Sequence, residues 1–409
     1  MPTIAYLANI FPLSVEPYVI DEVRELRKRG VTVIPCSALR TSGDLSSGLK
    51  HLIEETLYLE PLRWRLLLQA TFLCIREFSR LKEFFCRALV KRRSTERRLP
   101  ALVHTYLGAY YATALQRHRI EHIHVHHGYF GSWIAMVAAR LLGIPFSITL
   151  HGSDLLVNAA YLDIKLRRCQ FCVTISEFNR QHILTNYPGL DPSKIHVRRL
   201  GVDSRVRVAR QAESRSQCSL VKMLAVGRLH KVKDHAFLVR ACRMLKDRGL
   251  HFVCSIAGDG PERRSLEELI RDLHLDGEVR LLGKLPHHEL DNQYEEADLL
   301  VLTSRSEGIP LALMEAMARG KIVLAPDITG IPELVVGGET GFLYQPGSRD
   351  DFVSRMELIS RTRSSLDSLR RRAHEQVFQH FNREKNLAAF CELLSQSLRR
   401  GSSPISTAA

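Results

Sequence analysis

The chain lacks any apolar run of the roughly 18 residues that a membrane-spanning helix needs. Its opening, MPTIAYLANIFPL, has no basic start of the kind that leads a signal peptide. Both absences point to a cytoplasmic protein. Acidic residues are few: 44 Asp and Glu stand against 58 Lys and Arg, which leaves +14 over 409 residues. That excess favours an anionic partner, and nucleic acid, an anionic membrane surface and a phosphorylated substrate fit it equally. Cysteine is present but unpaired in pattern, with nine residues scattered from Cys36 to Cys391, the usage of a reducing compartment. Cys169 and Cys172 make a lone CxxC with no second Cys or His pair at zinc-finger spacing, so a structural role is expected for it.

Several signature loops are also missing. There is no Gly-x-x-x-x-Gly-Lys-Ser/Thr loop, no Gly-x-Ser-x-Gly elbow and no Asp-x-Asp at a strand end. P-loop nucleotide hydrolysis and serine-hydrolase chemistry are therefore disfavoured. Gly258 and Gly260 follow a strand pattern, but the helix continues Arg263, Arg264 where a dinucleotide fingerprint needs its third glycine. No aromatic-studded basic sheet or recognition helix is visible, so no nucleic-acid partner is expected.

What is present is an α/β rhythm, seen twice. IAYLAN at 3–8, a helix from Pro17 to Arg29 and VTVIPC at 31–36 open a parallel sheet, and strand patterns recur to KIHVRRLGVD at 194–203. A polar stretch at 204–218 reads as a linker. Further strands at 220–226, 251–257, 278–282, 298–302 and 321–325 alternate with helices. The expectation is two tandem Rossmann-like domains, 1–203 and 219–380, with a helix at 381–400 packing back on the first domain and a disordered tail at 401–409.

Residues 37–60 read as a loop. Residues 61–99 are helical in period, with eleven Lys and Arg against three Glu, a balance of +8. Leu66, Leu67, Leu73, Phe84, Phe85 and Leu89 alternate there with Arg63, Arg65, Arg80, Lys82, Arg87 and the cluster Lys91 to Arg93. A basic amphipathic segment with Trp64 near one end suits an anionic membrane surface, and it equally suits helices half-buried on a sheet.

Four groups of residues could carry chemistry. SRSEGIPLALMEAM (304–317) follows the buried-strand pattern ADLLVLTS and leads through a turn into a helix, with Glu307 and Glu315 eight residues apart and Pro310 expected in the first helical turn. A helix mouth between two acids can hold an anion while the acids hold hydroxyls. Arg228 and Lys233, in the turn VGRLHKVKD, can converge on one diphosphate. His151 opens HGSD at the carboxyl end of a strand, with His126 and His127 ending a neighbouring one. His124 and His126 share a strand face, but no carboxylate or cysteine accompanies them in sequence, so no metal site is expected.

These stretches together resemble the retaining glycosyltransferases of family 4. The motifs HVHHGYFGSW, ITLHGSD, VTISEFNR, RRLGVD, VGRLHKVKD, IAGDGPE, DLLVLTSRSEGIPLALMEAM and TGFLY come in family order over about residues 120–345. The resemblance implies a GT-B fold, two Rossmann-like domains with parallel sheets facing a deep interdomain cleft. It implies that Arg228 and Lys233 grip the donor diphosphate, with Gly308, Ile309, Pro310 and Leu311 supporting it. Glu307 would hold hydroxyls of the transferred sugar and Glu315 the ribose. His151 would act near the reacting carbon from the acceptor-binding domain, and His127, Gly258, Gly260 and Ser14 are candidate cleft residues. The expected activity is transfer of a hexose-type sugar from a UDP- or GDP-sugar to a lipid-linked or polysaccharide-precursor acceptor, without a metal or other cofactor. The place expected for it is the inner face of the membrane, with 61–99 as the docking segment and an exopolysaccharide or colanic-acid type of pathway behind it. Rival readings are a nucleotide-sugar epimerase on the same fold and a basic nucleic-acid-binding protein. One departure stands out: the loop after the first strand, NIFPLSVEPYV, carries Ser14 and no glycine, unlike many relatives.

Overall fold

The structure, a computed structural model, describes residues 1–13, 16–41, 49–90, 98–157, 159–203 and 220–401. Ser14, Lys91 to Arg93, the linker 204–218 and the tail from 402 lie outside the described residues, as does the side chain of Leu89.

In the first compact unit the strands are β1 (Thr3–Ile10), β2 (Thr32–Leu39), β3 (Leu57–Tyr58), β4 (His122–His126), β5 (Phe146–Leu150), β6 (Cys172–Thr174) and β7 (Ile195–Val197). They form one sheet in the order β3-β2-β1-β4-β5-β6-β7, and every pairing is parallel. Strand alternation assigns the faces. Ala5 and Leu7 of β1 enter one apolar cluster, with Val125, Ile148 and Trp133, while Ile4, Tyr6 and Ala8 enter another with Val23 and Val173. Both faces are covered, which is why β4 and β5 are buried along their whole length. The second cluster also takes in Phe390, Cys391 and Leu394 from the helix Arg383–Gly401.

The second unit repeats the pattern with β8 (Val221–Val226), β9 (Phe252–Ala257), β10 (Val279–Gly283), β11 (Leu299–Val301), β12 (Ile322–Pro326) and β13 (Phe342–Tyr344). Their order is β10-β9-β8-β11-β12-β13. Val221, Met223 and Ala225 face one cluster, and Leu224 faces the other, with Leu313 and Met317. In each sheet the chain builds outward on one side of its first strand and then returns to the other. The loops after β1 and β4, and after β8 and β11, therefore diverge at switch points, where open α/β sheets bind ligands.

The units divide at Arg198 rather than at 203, and the first one recovers residues from 387 onward. Val202 explains the shift: it is buried with Val377 and Phe381, its N–H donates to Phe381 O at 2.9 Å, and its carbonyl accepts from Arg383 N at 3.0 Å. Residues 37–41 and 49–60 carry more regular structure than their polar pattern suggests. Lys50–Glu55 is a helix, and Leu57 and Tyr58 pair with Cys36 and Ser37. A two-residue strand is too short to leave a periodic signal.

The basic segment forms two helices, Trp64–Arg76 and Phe78–Val90. Leu73 and Phe84 are buried, and Leu66, Leu67 and Phe85 pack against the same core, so that apolar face belongs to the interior. The opposite face is apolar too: Trp64, Leu68, Phe72, Ile75 and Phe78 are all more than half exposed. No helix of the described residues is long and apolar enough to cross a membrane. Cys169 and Cys172 are buried free thiols, and burial pushes the Cys169 thiol up to about 12. Such thiols are inert, as a structural CxxC requires.

Candidate active site

In the second unit the turns leaving β8 and β11 run side by side at the switch point and are tied together. Arg305 N donates to Val232 O at 2.8 Å, Thr303 Oγ1 to Lys233 O at 3.0 Å, and Arg305 pairs with Asp234 at 2.6 Å. Asp234 caps the next helix by accepting from Phe237 N, at a left-handed φ of 49°. This frame brings Lys233 Nζ to 2.5 Å from Glu307 Oε1, with side chains only 20% and 12% exposed. Arg228 is exposed, and its guanidinium has no hydrogen-bond or ion-pair partner among the described residues. The turn thus presents one uncommitted cation and one cation held by a carboxylate. An arriving diphosphate can claim both.

Gly258 and Gly260 pack against this turn and do not line an opening of their own. Leu229 N donates to Asp259 O and Glu262 N to Leu229 O, both at 3.0 Å. Behind Glu307, Thr329 Oγ1 donates to the Glu307 carbonyl at 2.6 Å. A Cβ on Gly330 would stand 2.4 Å from Gly308 O. Neither Thr329 nor Gly330 stood out in the sequence, since each is single and lacks a motif.

The helix after Glu307 spans Leu311–Ala318, so Pro310 is its N-cap in extended conformation and not part of its first turn. An N-cap has non-helical dihedrals, and ψ 125° at Pro310 meets that description. Ile309 and Pro310 are buried, while Gly308 and Leu311 are half-buried beside them. Glu315, half-buried on this helix, accepts from the Tyr294 hydroxyl at 2.8 Å. Burial pushes its carboxyl up, against the opposing pull of Tyr294 and Arg319. Tyr294 fixes the carboxylate's direction, a role that spacing alone could not reveal.

In the first unit β4 and β5 end beside β1 with a group of histidines. His126 Nδ1 lies 2.9 Å from His151 Nε2, and His126 Nε2 lies 2.9 Å from Glu22 Oε2. His127, at φ 70°, sits between Glu16 (3.2 Å to Nε2) and Asp154 (3.7 Å to Nδ1). Burial alone would lower the His127 pKa, but the two carboxylates raise it to about 10. Burial, and then the charge of His127, push His151 the other way, well below the usual imidazole range. One ring is a fixed cation and its neighbour stays neutral. Asp154 also accepts from the backbone N–H of Gly128, His151 and Gly152 at 2.9, 3.1 and 2.8 Å, which locks the two loops together.

His127 should therefore titrate near pH 10, and the raised pKa sets the sign of its linkage. The pair's contribution to stability is full below the unfolded value near 6.5 and is lost as pH rises toward 10. A proton NMR titration checks this. A His127 midpoint near 6.5 would contradict the arrangement.

Glu22, His124 and His126 can present ligand atoms all within 4.8 Å of one another. Their ring nitrogens are already engaged. His124 meets the Ser147 and Thr149 hydroxyls at 2.7 and 3.0 Å, and His126 meets Glu22 and His151. The donor set is that of a filled hydrogen-bond network.

Residues 15–206 match the family model of Glycosyltransferase Family 4, and residues 212–376 that of Glycosyl transferases group 1. The putative colanic acid biosynthesis glycosyltransferase WcaL of Salmonella typhimurium is 36% identical over 203 residues, 48% of this chain and 50% of its own length. The chain thus spans about half the length of the first curated relatives it matches. A glycosyltransferase structure from Rickettsia africae has a TM-score of 0.70 at 20% identity, covering 97% of this chain and 99% of that one. HepE of Anabaena in complex with UDP-glucose has a TM-score of 0.68 at 18% identity, covering 97% and 100%. At such identities the structural likeness speaks for the fold alone, and that fold is GT-B. With both models matched in tandem on that fold, the chain belongs to the glycosyltransferases, carrying a family 4 domain followed by a group 1 domain.

Proposed function

We propose that the protein transfers a hexose-type sugar, with retention of configuration, from a UDP- or GDP-sugar to a lipid-linked or polysaccharide-precursor acceptor, without a metal. The observation that carries this reading is the pairing of Lys233 with Glu307 beside the unpartnered Arg228, at the switch point between β8 and β11. Departure of a nucleoside diphosphate builds negative charge on a phosphate oxygen. Fixed cations and helix N–H groups stabilise that charge without having to reorganise. Arg228 and Lys233 supply the cations, and the N–H groups near Ile309 to Leu311 supply the dipoles. Glu307, released by Lys233, accepts hydroxyls of the sugar, while Glu315, aimed by Tyr294, accepts from the ribose. His151 binds a sugar hydroxyl. The complex of HepE with UDP-glucose supports the donor class, and the name of WcaL supports a polysaccharide acceptor. Retention rests on the family resemblance. A thermal-shift series of UDP, GDP and their sugars should single out one nucleotide, since a ligand at 100 times its Kd adds about 2.7 kcal/mol. A flat response across the series, with the protein folded, would reject the donor site.

The acceptor class and the inner membrane face rest on the helix Trp64–Arg76. Its exposed stripe of Trp64, Leu68, Phe72 and Ile75, extended by Phe78, lies beside exposed Arg63 and Arg65, with Arg65 over the Trp64 ring at 5.4 Å. Apolar burial and basic flanks together suit an anionic bilayer. Burying a large apolar side chain is worth about 1.5–3 kcal/mol, so Leu68→Glu with Phe72→Glu should cut partition into phosphatidylglycerol vesicles at least about tenfold. Unchanged partition would remove the membrane from the proposal.

A further inference from the structure

Glu22 lies on the helix Pro17–Lys28, is buried, and has no place in the donor chemistry. Its Oε2 meets two groups, the hydroxyl of buried Tyr6 and Nε2 of His126, and Tyr6 Oη also stands 2.8 Å from that same nitrogen. Burial, and then Glu22, hold the Tyr6 hydroxyl well above its usual range, so it keeps its proton. A carboxylate has only acceptor sites, so both neighbours donate to it. In its neutral form His126 then carries its proton on Nε2 and offers a lone pair at Nδ1. Only a donor can satisfy that lone pair, and the atom facing it at 2.9 Å is Nε2 of His151. The reverse polarity would set a carboxyl oxygen and His126 Nε2 against each other as two acceptors at 2.9 Å, which Tyr6, with one proton, could not relieve.

We propose that Glu22 and His126 are positioning residues that hold His151 in one tautomer, with Nε2–H turned into the protein and Nδ1 left as a lone pair for a substrate hydroxyl. His151 Nδ1 has no hydrogen-bond partner among the described residues. An imidazole fixed in this way accepts from a sugar hydroxyl and cannot donate to it through Nδ1. The selectivity follows: the site takes a hydroxyl at that position and rejects an analogue carrying an acceptor there, such as a fluorine. Asp154 holds the His151 backbone, and the Glu22 chain holds its ring. This inference rests on His151 belonging to the substrate site, whereas its structural half does not.

The test is nitrogen NMR on the full chain labelled at histidine, with His151→Gln used to assign the His151 signals by difference. Wild-type His151 should show a protonated Nε2 and a bare Nδ1 at neutral pH. A protonated Nδ1, or an equal mixture of tautomers, overturns the proposal without any variant. Glu22→Leu should shift His151 to a mixture and Glu22→Gln should restore the single tautomer, because the amide oxygen accepts the same two bonds. A His151 spectrum indifferent to Glu22→Leu in folded protein also overturns it. The substrate half has its own readout: His151→Ala should lower the release of UDP or GDP from the preferred sugar nucleotide at least about tenfold. Wild-type release there would move His151 out of the site while leaving the tautomer result standing.

Discussion

Glu307→Ala is expected to lower sugar transfer by about 10²–10³, the cost of removing one preorganised polar contact to a reacting centre, while the free nucleoside diphosphate binds as tightly as before or tighter. The second half of that expectation distinguishes this site from one in which the acid merely supports the fold. Glu307 holds Lys233 at 2.5 Å, so a diphosphate must draw Lys233 from a carboxylate that repels it. Without Glu307 the ammonium is already available. Lys233 is only 20% exposed, so its unpaired ammonium also costs stability, and affinity is compared in the protein that remains folded. Arg228→Ala should do the reverse, weakening nucleotide binding and transfer together. Calorimetry with UDP or GDP beside an initial-rate assay separates the two. A Glu307→Ala variant with wild-type turnover would end the assignment, and one that loses nucleotide affinity in parallel with rate would make Glu307 a structural residue.

How much of this was visible beforehand depended on how local each feature was. The strand, turn and helix around Glu307 lie within the 20 consecutive residues from Leu299 to Ala318, and the period of their apolar positions marks them in sequence. The loop from Gly227 to Asp234 is local in the same way. The relay from Glu22 is not: 104 residues separate it from His126, and nothing in either segment announces the pairing. Tyr294 likewise reaches Glu315 across 21 residues and a change of element. The basic segment teaches a different lesson. Leucine, phenylalanine and tryptophan cover both sides of the helix Trp64–Arg76, so its pattern gives amphipathic character without saying which face the core will choose. Leu73 went inward and Phe72 outward, and only the packing partners decided it. The gain from the fold lies in the switch points, which gather Arg228, Lys233 and Glu307 from two loops into one place.

Gly258→Ala carries the second large effect, and it tests the frame without touching any charged group. The ends of β8 and β9 stay paired beyond the strands, through Gly227 N to Ala257 O and Leu229 N to Asp259 O, both at 3.0 Å. This draws the two backbones so close that a Cβ on Gly258 would stand 1.9 Å from Gly227 O, and φ is +148°. Gly227 is the residue before Arg228, so the methyl group can be admitted only by moving the arginine's own turn. Two lost backbone bonds at about 1 kcal/mol each, with about 1–2 kcal/mol for the unfavourable φ, come to roughly 3–4 kcal/mol. For a unit of this size that is a fall in Tm of about 6–16 °C. A shift of about 1 Å at a binding group can cost about 100-fold, so nucleotide affinity should drop by at least tenfold in the protein that remains folded. Gly249→Ala supplies the control: its φ is +75°, but nothing lies within 4 Å of the new Cβ. That variant should lose only the backbone part of the stability and bind nucleotide like the wild type. If Gly258→Ala also bound nucleotide like the wild type, Arg228 would not depend on the crossing of these two loops, and the diphosphate would have to be held elsewhere.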